Sequence, residues 1–153
     1  MIWPDDVLSI VLAIVLGAAI GLEREVSGKA AGLRTNVLIC LGAAVFTIIS
    51  RQMAAGHNGS ATRIAAQVVT GVGFLGAGAI IQDRGGVHGL TTAATIWLVA
   101  SIGMACGAHF YNLAIISAII AVVVLIGLAK LAKALEPHRA EDKSEETPDE
   151  QDA

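Results

Sequence analysis

The placement of acidic side chains constrains this chain more than any other feature. Between Val26 and Leu135 the sequence carries one acid, Asp83, and eight of its thirteen acids lie at or after Glu136. Only 15% of all residues are charged, whereas soluble domains average about 25%. Because so few charges cannot cover a surface exposed to water, we predict that the chain is a membrane protein.

Five apolar stretches are long enough to be considered as membrane helices, which need about 20 largely apolar residues. They cover residues 6–22, 35–50, 64–81, 91–108 and 110–133, and none of them contains a proline. None shows the alternation of apolar and polar residues that marks the strands of a membrane barrel. The prediction is therefore an all-α, polytopic transmembrane bundle of about five spans, forming one domain over residues 1–135.

Lysine and arginine predict the orientation, because loops on the cytoplasmic side of a membrane carry an excess of them. Eight of the ten fall on one side of the predicted bundle, in the first and third loops and from Lys130 to Lys143 on the C-terminal side. The other two, Arg51 and Arg63, fall in the second loop. This places the N-terminus outside and the C-terminus in the cytoplasm. Residues 136–153 are acidic and polar, and we expect a disordered cytoplasmic tail.

The glycines from Gly71 to Gly76 match G-x-G-x-x-G, the pattern that binds dinucleotides. That function needs a strand before the glycines, a helix after them and an acid about 20 residues later. No acid lies near residue 96, and the flanking residues form one apolar run. We therefore reject a nucleotide site and expect a role in helix packing, since small residues let membrane helices approach closely.

Glycines in three spans are assigned to helix packing. In span three, Gly71 and Gly78 share a face with Gln67, whereas Gly73 and Gly76 lie on a roughly opposite face, which predicts that this span is central. An alternative is that these glycines leave a narrow path or a moving contact. The full packing set is Gly17, Gly21, Gly71, Gly73, Gly76, Gly78, Gly103 and Gly107.

Polar residues in and near span three form a candidate functional face. Arg63, Gln67 and Thr70 share one side of a helix at this spacing, and Gln67 lies about one turn inside the membrane. Polar groups at such depth usually face protein and find a partner. Gln67 is open to two interpretations, a hydrogen bond that fixes helix packing or part of a pocket for a ligand or ion.

The first and third loops supply the remaining candidates. Thr35, alone or together with Asn36, could cap span two, and Thr91 or Thr92 could cap span four. Asp83 could meet the arginines of the first loop, if both loops lie on the cytoplasmic side. These residues either anchor the helices or form a recognition surface. The whole candidate cluster is Glu23, Arg24, Glu25, Arg34, Thr35, Asn36, Arg63, Gln67, Asp83, Thr91 and Thr92.

Several kinds of chemistry lack the residues they need. The two cysteines and four histidines are scattered singly, so we expect neither a metal site nor a cofactor. No pair of a nucleophile and a base is apparent, and we expect no enzymatic activity. No span carries an ionisable residue near its midplane, where carriers usually place one. Backbone carbonyls can line a pore, so a channel stays open as an alternative.

Four stretches of the sequence match the motifs of a known family, in the same order: GLERE (21–25), AGLRTNVL (31–38), RIAAQVVTGVGFLGAGAI (63–80) and GLTTAATIWLVASIG (89–103). On these stretches, the chain resembles the MgtC/SapB family of bacterial inner-membrane proteins. The resemblance implies a helical domain in the inner membrane with a cytoplasmic C-terminus. It also implies a role around magnesium limitation and stress adaptation, in which members modulate other membrane machinery and are thought not to carry magnesium themselves.

One departure from the family pattern matters. MgtC-like members carry a folded cytoplasmic domain after the last span, where this sequence has a short polar tail. We therefore expect a short member that consists of the membrane domain, and functions tied to the soluble domain are not carried over. The expected partners are the lipid bilayer, other inner-membrane proteins and further copies of the chain, without nucleic acid. The alternative function is a transporter or channel for a small solute or ion.

Overall fold

The computed structural model describes residues 3–55, 62–83 and 86–135. Helices dominate this part of the chain, and two short strands pair between the third helix and the fourth. The elements are α1 (Pro4–Val26), α2 (Leu33–Ala55), α3 (Thr62–Gly78), β1 (Ile81–Asp83), β2 (Gly86–His88), α4 (Leu90–Gly107) and α5 (Tyr111–Leu135). The predicted all-α bundle with five helices is confirmed.

Among the described residues, four helices are long and apolar enough to cross a membrane, namely α1, α2, α4 and α5. The third helix has 17 residues and ends at Gly78, whereas the predicted span ends at residue 81. Two short-range bonds end it, from the amides of Ala79 and Ile80 to the carbonyls of Gly76 and Ala77, each 3.1 Å long. The helix thus ends three residues before the predicted end of span three, and the chain then extends into β1.

The first helix begins with local signals that the sequence supplies directly. Pro4 occupies the first helical position, where its missing amide hydrogen is not needed. The Asp6 carboxylate accepts a hydrogen bond from the amide of Trp3 at 3.2 Å, which satisfies a donor that the helix leaves free. The start of α1 is therefore fixed by its own side chains, before any packing is considered.

Glycines bring α1 into direct contact with α2. A Cβ atom added at Gly17 would lie 2.8 Å from the Cβ of Cys40, and one added at Gly21 would lie 2.8 Å from the Cα of Leu33. Later positions in α1 thus meet earlier positions in α2, so the two helices are antiparallel. The spacing of four residues allows this approach because no side chain separates the backbones.

Glycines also bring α4 against α2, on another side of that helix. A Cβ added at Gly103 would lie 3.0 Å from the Cβ of Ala43, and one added at Gly107 would lie 2.8 Å from the Cβ of Thr47. Positions advance together along the two helices, so α2 and α4 are parallel. Since α2 receives glycine contacts from both neighbours, it is the central helix of this group.

The prediction that span three is central is therefore wrong. A Cβ added at Gly71, Gly73 or Gly78 would meet nothing within 4 Å, and one at Gly76 would make an ordinary contact of 3.5 Å with the carbonyl oxygen of Ala93. The third helix packs through Val72 against a small apolar cluster that includes Ile96 and Ala100 of α4. Gly71, Gly73 and Gly78 thus leave open space within the single chain and are not packing positions there, whereas Gly76 is buried against α4.

The start of α4 also differs from the prediction. The strands β1 and β2 pair in antiparallel register, with Ile81 opposite His88. Gly89 then caps α4 with a left-handed backbone, at φ +86°, and makes no side-chain cap. Thr91 and Thr92 lie inside the helix, so neither caps it. Glycine takes this position because a left-handed backbone strains other residues.

The chain divides into two compact units, Met1–Val122 and Val123–Ala153. In the first unit, the early part of α5 buries small side chains at Ala114, Ala118 and Ala121. In the second unit, the helix continues to Leu135 and exposes large apolar side chains, such as Leu128 and Leu131. The predicted disordered tail at 136–153 lies outside the described residues.

Candidate functional site

The predicted cytoplasmic cluster centres on an ion pair at the end of α1. Arg24 is 3% exposed, and its guanidinium donates to both carboxylate oxygens of Glu23, at 2.5 and 2.7 Å. Ser27 donates its hydroxyl hydrogen to Glu23 at 2.8 Å. We call Glu23, Arg24 and Ser27 the Arg24 cluster. A bidentate pair of this kind fixes the geometry of the two side chains as well as pairing their charges. Because these residues bond to one another, the simplest interpretation is that the cluster has a structural role.

Glu25 and Asn36 hold the loop that connects α1 to α2. The carboxylate of Glu25 accepts a hydrogen bond from the amide of Leu33 at 2.8 Å, at the helix end that favours negative charge. Asn36 is buried and donates to the carbonyls of Ala31 and Gly32, at 2.7 and 2.8 Å. Its side-chain oxygen is buried without a hydrogen-bond partner.

The predicted cap of α2 is therefore assigned to the wrong residues. The helix begins at Leu33, so Thr35 and Asn36 already lie inside its first turn. The side chain that bonds the first amide comes from Glu25, eight residues earlier. The polar groups described in the first loop thus mainly bond to the loop itself. These contacts agree with the interpretation that its residues anchor the helices.

Other members of the predicted set line a groove between α2 and α3. This α2/α3 groove has a volume of about 780 Å³, within the range of pockets that hold small molecules, roughly 300–1,000 Å³. Arg34 and Thr35 contribute from α2 and Gln67 from α3, while the other lining residues are apolar or glycine. The structure thus brings Gln67 to a pocket that it lines together with Arg34 and Thr35.

The remaining candidates do not join this groove. Arg63 is exposed at the start of α3, and the hydroxyl of Thr70 points back to its own helix, 3.4 Å from the carbonyl of Ala66. Thr92 is buried and Thr91 is exposed. The side chain of Asp83, and the whole of Arg84, lie outside the described part of the chain. The predicted meeting of Asp83 with the first-loop arginines therefore stays a prediction.

A second polar cluster was missed by the sequence analysis. Asp6 is 1% exposed and pairs with Arg51 of α2. Its other carboxylate oxygen accepts from the side chain of Gln52 at 2.8 Å. His109, between α4 and α5, lies 3.5 Å from Asp6 and 3.3 Å from Arg51. We call Asp6, Arg51, Gln52 and His109 the Asp6 cluster.

The Asp6 cluster ties four parts of the chain together at one end of the bundle. His109 adopts a left-handed backbone, at φ +66°, which is uncommon for residues other than glycine. Next to it, the Tyr111 hydroxyl donates to the carbonyl of Asp5 at 3.0 Å and lies 3.1 Å from the Ser9 hydroxyl. Side chains from α1, α2, α5 and the preceding turn therefore meet here.

The two clusters mark the ends of the first span. Asp6 and Arg24 are 18 positions apart in the sequence, which corresponds to about 27 Å along a helix. The hydrocarbon core of a bilayer is about 30 Å thick. The polar groups thus sit where the two membrane surfaces are expected, and only the apolar stretch between them needs to lie in lipid.

Most of the chain is similar in sequence to a family of known proteins. The model of the MgtC family matches residues 10–134. The "Putative magnesium transporter YhiD" of Escherichia coli K12 is 46% identical over 127 residues, which cover 79% of this chain and 59% of that protein. Protein MgtC of Salmonella typhimurium is 43% identical over 133 residues, covering 87% of this chain and 56% of that protein. No solved structure matches the chain.

A third relative, Protein MgtC of Brucella abortus, is 43% identical over 124 residues, covering 81% of this chain and 51% of that protein. The chain therefore spans between half and three fifths of the length of these curated relatives. The match to the family model nevertheless covers α1 to α5 almost entirely, including both polar clusters apart from Asp6 itself. The chain belongs to the MgtC family of membrane proteins.

Proposed function

We propose that this protein resides in the bacterial inner membrane and modulates other membrane machinery in magnesium or ion homeostasis. The observation that supports this most is the α2/α3 groove, where three residues of the predicted set lie on an accessible surface of the bundle. Arg34, Thr35 and Gln67 are all exposed and line it together. An accessible groove with a few polar groups is a surface to which another membrane component can bind.

The positions of the clusters are compatible with the proposed orientation. The Arg24 cluster and Arg34 would lie at the cytoplasmic surface, and the Asp6 cluster at the outer surface, as the distribution of lysine and arginine indicates. Partners of the modulator would be other inner-membrane proteins, the bilayer or further copies of the chain. The proposal assigns the protein no enzymatic reaction and no nucleic acid.

Growth at low magnesium tests the proposal. A strain that lacks the gene would be complemented with the wild-type chain and with the variants Arg34→Ala and Gln67→Leu. We expect both variants to insert into the membrane at normal levels and to lose complementation. Lys29→Ala and Thr70→Val are matched controls, because these exposed residues do not line the groove, and both should complement. Full activity of the two groove variants would refute the proposal.

The alternative is a transporter for a small solute or ion, which is favoured by the Escherichia coli relative, since that protein is named "Putative magnesium transporter YhiD". Liposomes that contain the purified chain would be assayed for flux of magnesium and of protons, beside Gln67→Leu. Flux that disappears in the variant would support the transporter and place its path along α3. Folded protein without flux, together with the expected growth phenotype, would support the modulator.

A further inference from the structure

The α2/α3 groove has dimensions that suit one lipid chain. On α2 it extends from Arg34 to Phe46, twelve residues, which is about 18 Å of helix. One leaflet of a bilayer contributes about half of the 30 Å hydrocarbon core, or roughly 15 Å. After Thr35, the α2 residues that line the groove present apolar side chains or glycine, among them Leu38, Ile39 and Gly42. The groove therefore starts at a membrane surface and runs about as far as an acyl chain reaches.

Charge at the start of the groove is not compensated by any side chain that the structure describes. Among the described residues, Arg34 has no hydrogen-bond or ion-pair partner, and it is exposed. The nearby acids whose side chains the structure describes are already engaged, since Glu23 binds Arg24 and Glu25 binds the amide of Leu33. Within the described part of the chain, Arg34 thus offers a free guanidinium, whose donors match a phosphate group. Thr35 adds a hydroxyl beside it.

We propose that the groove binds an anionic glycerophospholipid from the leaflet on the side of Arg34. One acyl chain lies between α2 and α3, and the phosphate contacts Arg34 and Thr35. Basic pockets between membrane helices bind anionic headgroups in this way. The inference deepens the proposed role of the groove by naming what occupies it, but its direct readout is lipid binding and does not depend on the growth phenotype.

Glycines make it possible to block the groove without disturbing the fold. Gly42 and Gly71 both line it, and a Cβ added at either would meet nothing within 4 Å. A leucine at one of these positions extends into space that the lipid chain would occupy. Gly73 is equally open but does not line the groove, so Gly73→Leu is a matched control on the same helix.

Native mass spectrometry of the full chain in detergent tests the inference. The protein would be mixed with phosphatidylglycerol or with phosphatidylcholine at equal concentrations, and the bound fraction measured. One basic residue near a membrane surface attracts an anionic lipid by about fivefold, so we expect that preference in the wild type. Arg34→Gln should abolish the preference and Lys29→Gln should retain it. Gly71→Leu and Gly42→Leu should reduce binding of both lipids, unlike Gly73→Leu.

Several results would overturn the inference. Equal binding of the two lipids by the wild type, or an unchanged preference in Arg34→Gln, would remove the headgroup site. Equal loss in Gly71→Leu and Gly73→Leu, with helical circular dichroism retained, would show that binding is not specific to the groove. A wild-type dimer that Gly71→Leu converts to a monomer would assign the groove to a second copy. If lipid preference behaves as expected while Arg34→Ala still supports growth, the proposed function fails and the lipid site stands.

Discussion

The close contact between α4 and α2 predicts a loss of stability when Gly103 becomes alanine. The new Cβ would lie nearest the carbonyl oxygen of Cys40, 2.9 Å from its carbonyl carbon and 3.0 Å from the Cβ of Ala43. Carbon atoms prefer separations of about 3.5–4.0 Å, so each contact is too short by about half an ångström or more. Two of these neighbours are α2 backbone atoms, which cannot rotate away, and the helices must separate.

The size of the effect follows from a comparison with Gly73→Ala. Both changes add one methyl group inside a helix, where alanine is favoured over glycine by about 1 kcal/mol. The Cβ at Gly73 meets nothing within 4 Å, so this variant should gain up to that amount. Overpacking costs about 1–3 kcal/mol. We therefore expect Gly103→Ala to be less stable than Gly73→Ala by about 1–3 kcal/mol, because the helix preference cancels between them.

Unfolding by dodecyl sulfate in detergent micelles, followed by circular dichroism, measures this difference. Both variants are compared with the wild type under the same micelle conditions, and each transition is checked for reversibility. If Gly103→Ala proves as stable as Gly73→Ala, the α2–α4 contact is looser than described, and α2 loses its assignment as the central helix.

Three further predictions use the same unfolding assay. Asp6→Ala leaves Arg51 and His109 facing each other without the carboxylate, and should lower the free energy of unfolding by about 1–3 kcal/mol; unchanged stability would show that the Asp6 cluster contributes nothing. Glu25→Gln removes the charge at the first amide of α2 and should lower the free energy of unfolding by about 0.3–1 kcal/mol. Because salt screens this interaction, a loss of stability that does not change with salt concentration would contradict the prediction. Tyr111→Phe removes the bonds to Asp5 and Ser9 and should cost about 0.5–1.5 kcal/mol, measured beside Tyr111→Leu, which should cost more.

The helices could be predicted because the amino-acid composition of each apolar stretch is enough to indicate a membrane helix. Long apolar runs without proline have few alternatives in a membrane, and each predicted span corresponds to a helix in the structure. The glycines of α1 and α4 were also predictable, since a repeat of four residues places them on one face. Gly71, Gly73 and Gly78 of α3 were assigned to packing in the same way but lie open. Spacing shows where a helix can be approached, not whether another helix does so.

The Asp6 cluster could not be read from local patterns, because its members are separated by dozens of residues and meet only through the fold. Topology nevertheless contained a signal. The N-terminus, the second loop and the fourth loop fall on the same side in the predicted orientation, which places Asp6, Arg51 and His109 together. Arg51 is also one of two cations on the side where cations are scarce, and such a residue calls for an acidic partner. Matching acidic and basic residues that are predicted to lie on the same side of the membrane would therefore have identified the Asp6 cluster.

Packing and exposure divide the molecule into two parts that can be tested separately. Helices α1, α2 and α4 are held by glycine contacts, and the Arg24 and Asp6 clusters fix the ends of α1. The third helix contacts this group through Val72 and leaves Gly71 and Gly73 open. Substitutions at those two glycines can therefore change the surface that α3 presents without altering the contacts that hold the core. A loss of growth at low magnesium in Gly71→Leu, with normal stability and with Gly73→Leu active, would then identify the groove as the functional surface, since destabilisation could not explain it.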